Sequence, residues 1–439
     1  MKKNYFVLLG LIVIFVSLSG CDKVSTPQQG STATPSPIET DTVISTLTNP
    51  TPTEQTHGVD LGDLEGLQIH FMHPWAGSTQ TVLFDMVDLF NQFNEWGIHV
   101  IMNPAGSASQ LEQKVWQGIQ NQDAPNVIVA PGDLLLAIDE EKDLVVNLNQ
   151  YVNSGDLGMS AEAISDFDQR FWTEDLVSGK RYGIPAQRTA AVLIYNLTWA
   201  HELGFSSLPT TPTEFKEQVC AANQSKRKDG DPTDDVIGGM LISYDSASLL
   251  SWMQGFDARI HENGEFSFNS PESQASLEFL LELKNGSCAW SGKTPQPYEY
   301  FASRKTLVYG GEMQDLLMQF AANQRLGSKD EWAAIPYPST EKQAVVTTGS
   351  SYGILASSPE QDLAAWLFIR WLSEPAQQAR LLQTIITLPL GEQVLPSIKL
   401  SSAVPPIWWG FVEGQYDYAS LPPAADWAVI KPVLEDAAW

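Results

Sequence analysis

Positive charge is scarce in this chain. Lys plus Arg total 25 against 52 for Asp plus Glu, a formal net charge of −27. A basic stripe for nucleic acid is therefore excluded, because phosphate backbones would be repelled. Cysteine is scarce too, with three in 439 residues, and there are only six histidines. His70 and His73 stand three apart near a strand end, a spacing that throws the rings to opposite faces and argues against a shared metal. There is no Gly-x-x-x-x-Gly-Lys-Ser/Thr phosphate loop and no His-Glu-x-x-His zinc motif. Asp229 to Asp235 is acidic like a calcium loop, but it has Asp234 at the sixth position and Met240 at the twelfth, where glycine and a carboxylate are needed. No catalytic residue, metal or cofactor is expected. Beyond Leu18 no run is apolar and long enough to span a bilayer.

What is present starts with a leader. Lys2 and Lys3 precede an apolar run from Tyr5 to Leu18, which narrows to Ser19 and Gly20 before Cys21. A basic start, a short apolar core and small residues at the cleavage site make a secretory signal. Leu18-Ser19-Gly20-Cys21 resembles the lipobox of bacterial lipoproteins, which implies a diacylglycerol on Cys21 and an anchor on the outer face of the cell membrane. From Asp22 to about His57 the chain is mostly Ser, Thr, Pro, Gln and Gly, without aromatics. It cannot bury enough surface to offset its ordering entropy, and reads as a disordered tether. Cys220 and Cys288 remain as an even pair in an oxidising compartment. A disulfide between them would contribute roughly 4 kcal/mol by the chain-entropy model; two buried thiols are the other arrangement.

The body from about Leu64 onward alternates strand and helix. Leu67, Ile69 and Phe71 alternate as a strand, and Val82, Met86, Leu89, Phe90 and Phe93 recur at helical spacing. Ile98 to Ile101 is a second strand. Ser109 to Glu112 reads as a capping box, and Val127 to Ala130 is continuously apolar, as for a strand buried on both faces. The pattern is β-α-β-α-β, hence a covered parallel sheet. Helix starts recur at Thr211-Pro212-Thr213-Glu214, Ser270-Pro271 and Ser358-Pro359. In open parallel sheets ligands bind beyond the carboxyl ends of strands. Those ends place Trp75, Ser107 and Asp133 at one candidate cleft, a mixture suited to a polyhydroxylated ligand. Fourteen tryptophans suit core packing first and sugar stacking second.

With these residues in hand, the chain resembles the extracellular solute-binding proteins of ABC importers, particularly the sugar-binding branch that includes maltodextrin-binding protein. The resemblance runs from about Leu67 to Leu390. It is carried by Asp123 to Ile128, Leu144 to Leu148, Tyr182-Gly183-Ile184-Pro185, Ile194-Tyr195-Asn196, Thr211 to Phe215, Phe301 to Leu307, Trp332 to Pro338, Gly349 to Ile354 and Ala364 to Phe368. It implies an α/β, two-lobed periplasmic-binding-protein type II fold with hinge crossings near Gln187-Arg188, Phe301 to Thr306 and Val346 to Ser350. The implied division is 1–20 signal peptide, 21–60 lipidated Cys and linker, 61–187 lobe one and 188–300 lobe two. Residues 301–348 would return to lobe one, and 349–439 to lobe two with the C-terminal helices. The ligand residues the resemblance points to are Trp75, Ser107, Asp133, Gln187, Arg188, Tyr244, Trp252, Gly311, Glu312, Ser351, Tyr352 and Trp408. The implied partners are a small solute, a mono- or oligosaccharide, and the permease subunits of a transporter, with the chain itself a monomer touching the membrane only through its anchor. A receptor for a peptide, polyamine or phosphorylated compound, and a secreted carbohydrate-active enzyme, are the rival readings.

Overall fold

The computed structural model describes residues 58–262, 265–292, 297–341, 343–414, 416–420 and 424–437. The leader, Cys21 and the tether lie outside the described residues. Strand β1 (Gln68–His73) buries Ile69, Phe71 and His73 at alternate positions. It pairs in parallel with β2 (His99–Pro104) on one side and β3 (Val127–Ala130) on the other. Helices α1 (Gly77–Phe93) and α2 (Ala108–Asn121) make the crossovers. All of β3 is buried, as its unbroken apolar run requires. The cap of α2 differs from expectation. Ser107, extended in backbone, accepts from the Gln110 N–H at 3.2 Å, whereas Ser109 is already inside the helix.

After α3 (Gly132–Lys142) the chain reaches the long strand β4 (Ile184–Asn196) and leaves lobe one. The second half of β4 is the spine of another sheet. There it meets β7 (Thr306–Glu312) on one edge and β8 (Trp332–Ile335) on the other, both antiparallel. Strand β5 (Gly238–Leu241) lies parallel beside β7, with β6 (Ala289–Trp290) at the rim. Helices α4 (Pro212–Lys228), α5 (Ser246–Gly255), α6 (Pro271–Asn285) and α7 (Asp315–Leu326) complete lobe two. Thr211 and Glu214 form a full capping box at the start of α4, the device the sequence shows there. A disulfide joins Cys220 of α4 to Cys288.

Strand β9 (Ala344–Ile354) runs back antiparallel to β4, with Ser350 opposite Gln187 and Gly349 opposite Arg188. The end of β9 lies against β3, Gly353 opposite Ile128. Here glycine is a necessity: a Cβ on Gly349 would collide with the Gln187 carbonyl oxygen. The two crossings therefore lie side by side.

This pairing reverses the expected returns. Residues 306–312 belong with β5 and β4 in lobe two, and 351–354 belong with β3 in lobe one. No crossing runs through 301–306, because the strands on either side of that stretch share one sheet. The helix α8 (Pro359–Leu372) confirms the direction of return, since it packs on β1 through its buried apolar side. The chain then continues through α9 (Pro375–Ile385) against α1, and α10 (Pro406–Val412). A last strand, β10 (Asp417–Ser420), lies parallel beside the start of β9, and α11 (Trp427–Ala437) ends the described chain.

Candidate functional site

A cleft of about 1080 Å³ opens between the two lobes along the crossing strands. From β4 it takes Gln187 and Thr189, and from β9 Thr348, Gly349 and Ser350. Side chains alternate on a strand, so residues two apart share a face. Gln187 and Thr189 therefore look into the cleft while Arg188 looks away. The Thr189 hydroxyl is buried and has no hydrogen-bond partner among the described residues.

Lobe one contributes Asp133, in the first turn of α3. Burial pushes its carboxyl up, against the pull of the adjacent helix N–H groups and of Lys431. Lobe two contributes the loop before α5, including Tyr244 and Asp245, and the end of β7, Gly311 and Glu312. The Tyr244 hydroxyl lies 3.0 Å from the Ser291 hydroxyl. Asp245 is spent on the helix: one oxygen accepts from the Ser248 N–H and the other from the Ser248 hydroxyl, both at 2.9 Å.

Asp315 is similarly occupied, accepting from the Tyr298 hydroxyl at 2.7 Å and the Glu312 N–H at 2.8 Å. The second bond needs Gly311, since a Cβ there would press on the Asp315 carboxylate at 2.7 Å. Glu312 is less committed than Asp245 and Asp315. It accepts from Gln314 at 2.7 Å and distantly from Thr348 at 3.4 Å. Burial, and then the charges of Asp315 and Asp245, push its carboxyl up to about 7.

Of the twelve expected ligand residues, the structure brings Asp133, Gln187, Tyr244, Gly311 and Glu312 to the cleft. The others lie elsewhere. Trp75 is in the core of lobe one, its indole N–H donating to Gln187 Oε1 at 3.0 Å, so it orients a cleft residue from behind. It stacks on His73, whose ring is fully buried and held neutral, its pKa lowered by burial to about 4. His70 lies on the opposite, exposed side of β1. Ser107 is the α2 cap. Trp252 packs edge-on against Phe215 and Tyr337 in the core of lobe two. Tyr352 is buried against Phe71, and Trp408 is buried with its N–H on the Thr387 carbonyl at 2.8 Å.

Arg188 and Ser351 belong to a buried hinge cluster. The Arg188 guanidinium donates to Glu174 at 2.6 Å, to the Ser350 carbonyl at 2.9 Å and to Asp175 at 3.3 Å. The Ser351 hydroxyl donates to Asp175 at 2.7 Å. The run Gly349-Ser350-Ser351-Tyr352-Gly353 has the Gly-x-Ser-x-Gly spelling of a hydrolase nucleophile. Ser351 nonetheless sits inside an antiparallel strand, 1% exposed, and its partner is a carboxylate rather than a histidine.

Several cleft residues carry no signal in the sequence motifs. Thr189 and Thr348 follow from strand alternation once Gln187 and Ser350 are placed. Trp427, Lys431 and Glu435 come from α11. Their spacing marks one helical face, but nothing in sequence tells what that face packs on.

The model of the bacterial extracellular solute-binding protein family matches residues 85–405. No curated protein matches the chain in sequence. Among solved structures, a cyclic alpha-maltosyl-1,6-maltose binding protein from Arthrobacter globiformis superposes with a TM-score of 0.69 at 17% identity, covering 85% of this chain and 93% of that one. The sugar-binding protein MalE from Xanthomonas citri gives 0.68 at 21% identity, covering 84% and 92%. UgpB from Mycobacterium tuberculosis, in complex with glycerophosphocholine, gives 0.62 at 16% identity, covering 75% and 80%. These likenesses establish the two-lobed binding-protein fold, and with the family match over most of its length the chain belongs to the bacterial extracellular solute-binding proteins.

Proposed function

We propose that the chain is the substrate receptor of an ABC importer, capturing an oligosaccharide in the interlobe cleft and handing it to the permease. The observation that carries this reading is the lining itself. Carboxylates, hydroxyls and tyrosines from both lobes and both crossings converge on one space, the mixed donor, acceptor and aromatic surface a polyol needs. The volume of about 1080 Å³ lies just above the roughly 300–1,000 Å³ common for small-molecule pockets, which favours several sugar units over one. Two of the similar structures are named for maltose-type sugars or sugar binding.

In this reading the lobes close about the paired crossings, and the permease meets the closed form. No chemistry is done on the solute. Lipidation at Cys21 and the tether would keep the monomeric receptor beside its permease on the outer face of the membrane, raising its local concentration there. An acidic lining leaves a phosphorylated solute the poorest of the rival ligands, and a polyamine the best of them.

A thermal-shift screen of the body from Gly58 onward against neutral oligosaccharides, peptides and polyamines tests the assignment. A stabilisation of several degrees by a neutral oligosaccharide, with the sugar recovered intact, is expected. Stabilisation by polyamines alone would replace the sugar reading, and sugar cleavage would replace the receptor reading. Cys21→Ala in the whole chain should release it from the membrane fraction; retention there would overturn the lipid anchor.

A further inference from the structure

The cleft has a wall that the family match does not reach. Residues 406–437 lie beyond the matched span of 85–405, yet α11 supplies Trp427, Lys431 and Glu435 to the lining. The helix is moored on lobe two. Trp427 stacks on Phe266 with ring centres 5.2 Å apart, Leu434 is buried in the lobe-two core, and Glu435 accepts from the Ser246 N–H at 2.9 Å. That last bond satisfies an otherwise open donor at the start of α5. On its other side α11 packs against α3 of lobe one. It thus stands across the cleft, in contact with both lobes.

Among the described residues, Lys431 is the single basic side chain of the lining. It makes no contact ion pair among the described residues, but its charge acts on Asp133 from lobe one and on Glu312 from lobe two. Both of those acids line the cleft. The ammonium therefore offsets the negative potential where ligand and both lobes meet. It is also a donor that could reach a hydroxyl.

We propose that α11 is a third wall of the ligand site and that Lys431 on it decides which charge the cleft accepts, admitting neutral polyols in preference to protonated amines. This rests on the reading of the cleft as a sugar site. A protonated amine bound at Glu312 or Asp133 would share the cleft with a like charge, and partly desolvated like charges in one cleft disfavour binding. A neutral sugar gains the donor and meets no such opposition.

The test uses calorimetry on the protein with Lys431→Met and Lys431→Arg, against maltotriose and a glucosamine trimer at mildly acidic pH, where the trimer's amines are protonated. The native chain should prefer maltotriose. K431M should shift the ratio of the two affinities by about tenfold toward the amine, and K431R should restore the native ratio. Unchanged circular dichroism and melting temperature establish that α11 stays docked. If the native chain binds neither trimer, the sugar reading fails and takes this inference with it. If it binds maltotriose and K431M leaves the ratio unmoved, this inference alone is overturned.

Discussion

Strands β4 and β9 carry two polar clusters on opposite faces, and the two behave differently. Behind the strands, Arg188, Glu174, Asp175 and Ser351 bond to one another, with Arg188, Asp175 and Ser351 buried and Glu174 at the edge. In front, Thr189 has a hydroxyl without a partner among the described residues, and Glu312 has spare acceptor capacity. Polar groups whose valences the protein fills are scaffold, because their desolvation is compensated only within the fold. Those with valences to spare are where a solute can make up the difference. The contrast separates hinge from site more sharply than residue type does, since both clusters hold carboxylates and hydroxyls.

The largest effect should come from breaking the saturated side. Arg188→Met strands the buried Asp175 and the half-buried Glu174 and should cost about 3 kcal/mol in denaturant unfolding. Arg188→Lys should rescue little, because one ammonium cannot reproduce a fork that reaches Glu174, Asp175 and the Ser350 carbonyl. A loss below about 1 kcal/mol would mean the cluster is not saturated after all. Trp75→Ala should cost about 3 kcal/mol, as a buried indole in a packed core, and weaken ligand binding indirectly by releasing Gln187. That reverses what an open stacking platform would show, namely weaker binding with stability untouched.

Glu312 sharpens the comparison through pH. Its carboxyl is harder to ionise in the folded chain than in the unfolded one, with a folded value of about 7. Its contribution to stability is therefore fully present below the ordinary glutamate value and is lost as pH rises through about 7. Glu312→Gln should flatten that decline and raise stability by about 2 kcal/mol at mildly alkaline pH. Melting temperatures followed from acid to alkaline pH test this, and an unchanged slope would refute it. The smallest effect on stability belongs to Thr189→Val, within about 0.5 kcal/mol because no bond is broken. The same change should lower ligand affinity about fivefold if the hydroxyl serves the solute.

Local chemistry was legible in the sequence wherever one segment determines itself. The alternation in β1, the unbroken run in β3 and the capping box at Thr211 and Glu214 each appear as read. Burial of aromatics was not. Trp75, Trp252 and Trp408 could stack on a sugar or fill a core, and only the surrounding fold decides. Arg188 is a different kind of miss, since Gln187 and Arg188 cannot both face one cleft from a regular strand. The direction of the returns was hidden because 306–312 and 351–354 are both short strands whose local patterns suit either sheet.

The order of strands in the chain also sets the order in which the lobes can be finished. The sheet of lobe two draws its strands from one continuous stretch, 191–335. Lobe one has strands at 68–130 but needs 351–354 to flank β3, as Gly353 does opposite Ile128. Closing that loop is slow compared with pairing nearby segments. The first lobe to be synthesised is thus the last to be completed. A chain built this way stays open until residues 351–354 have been made.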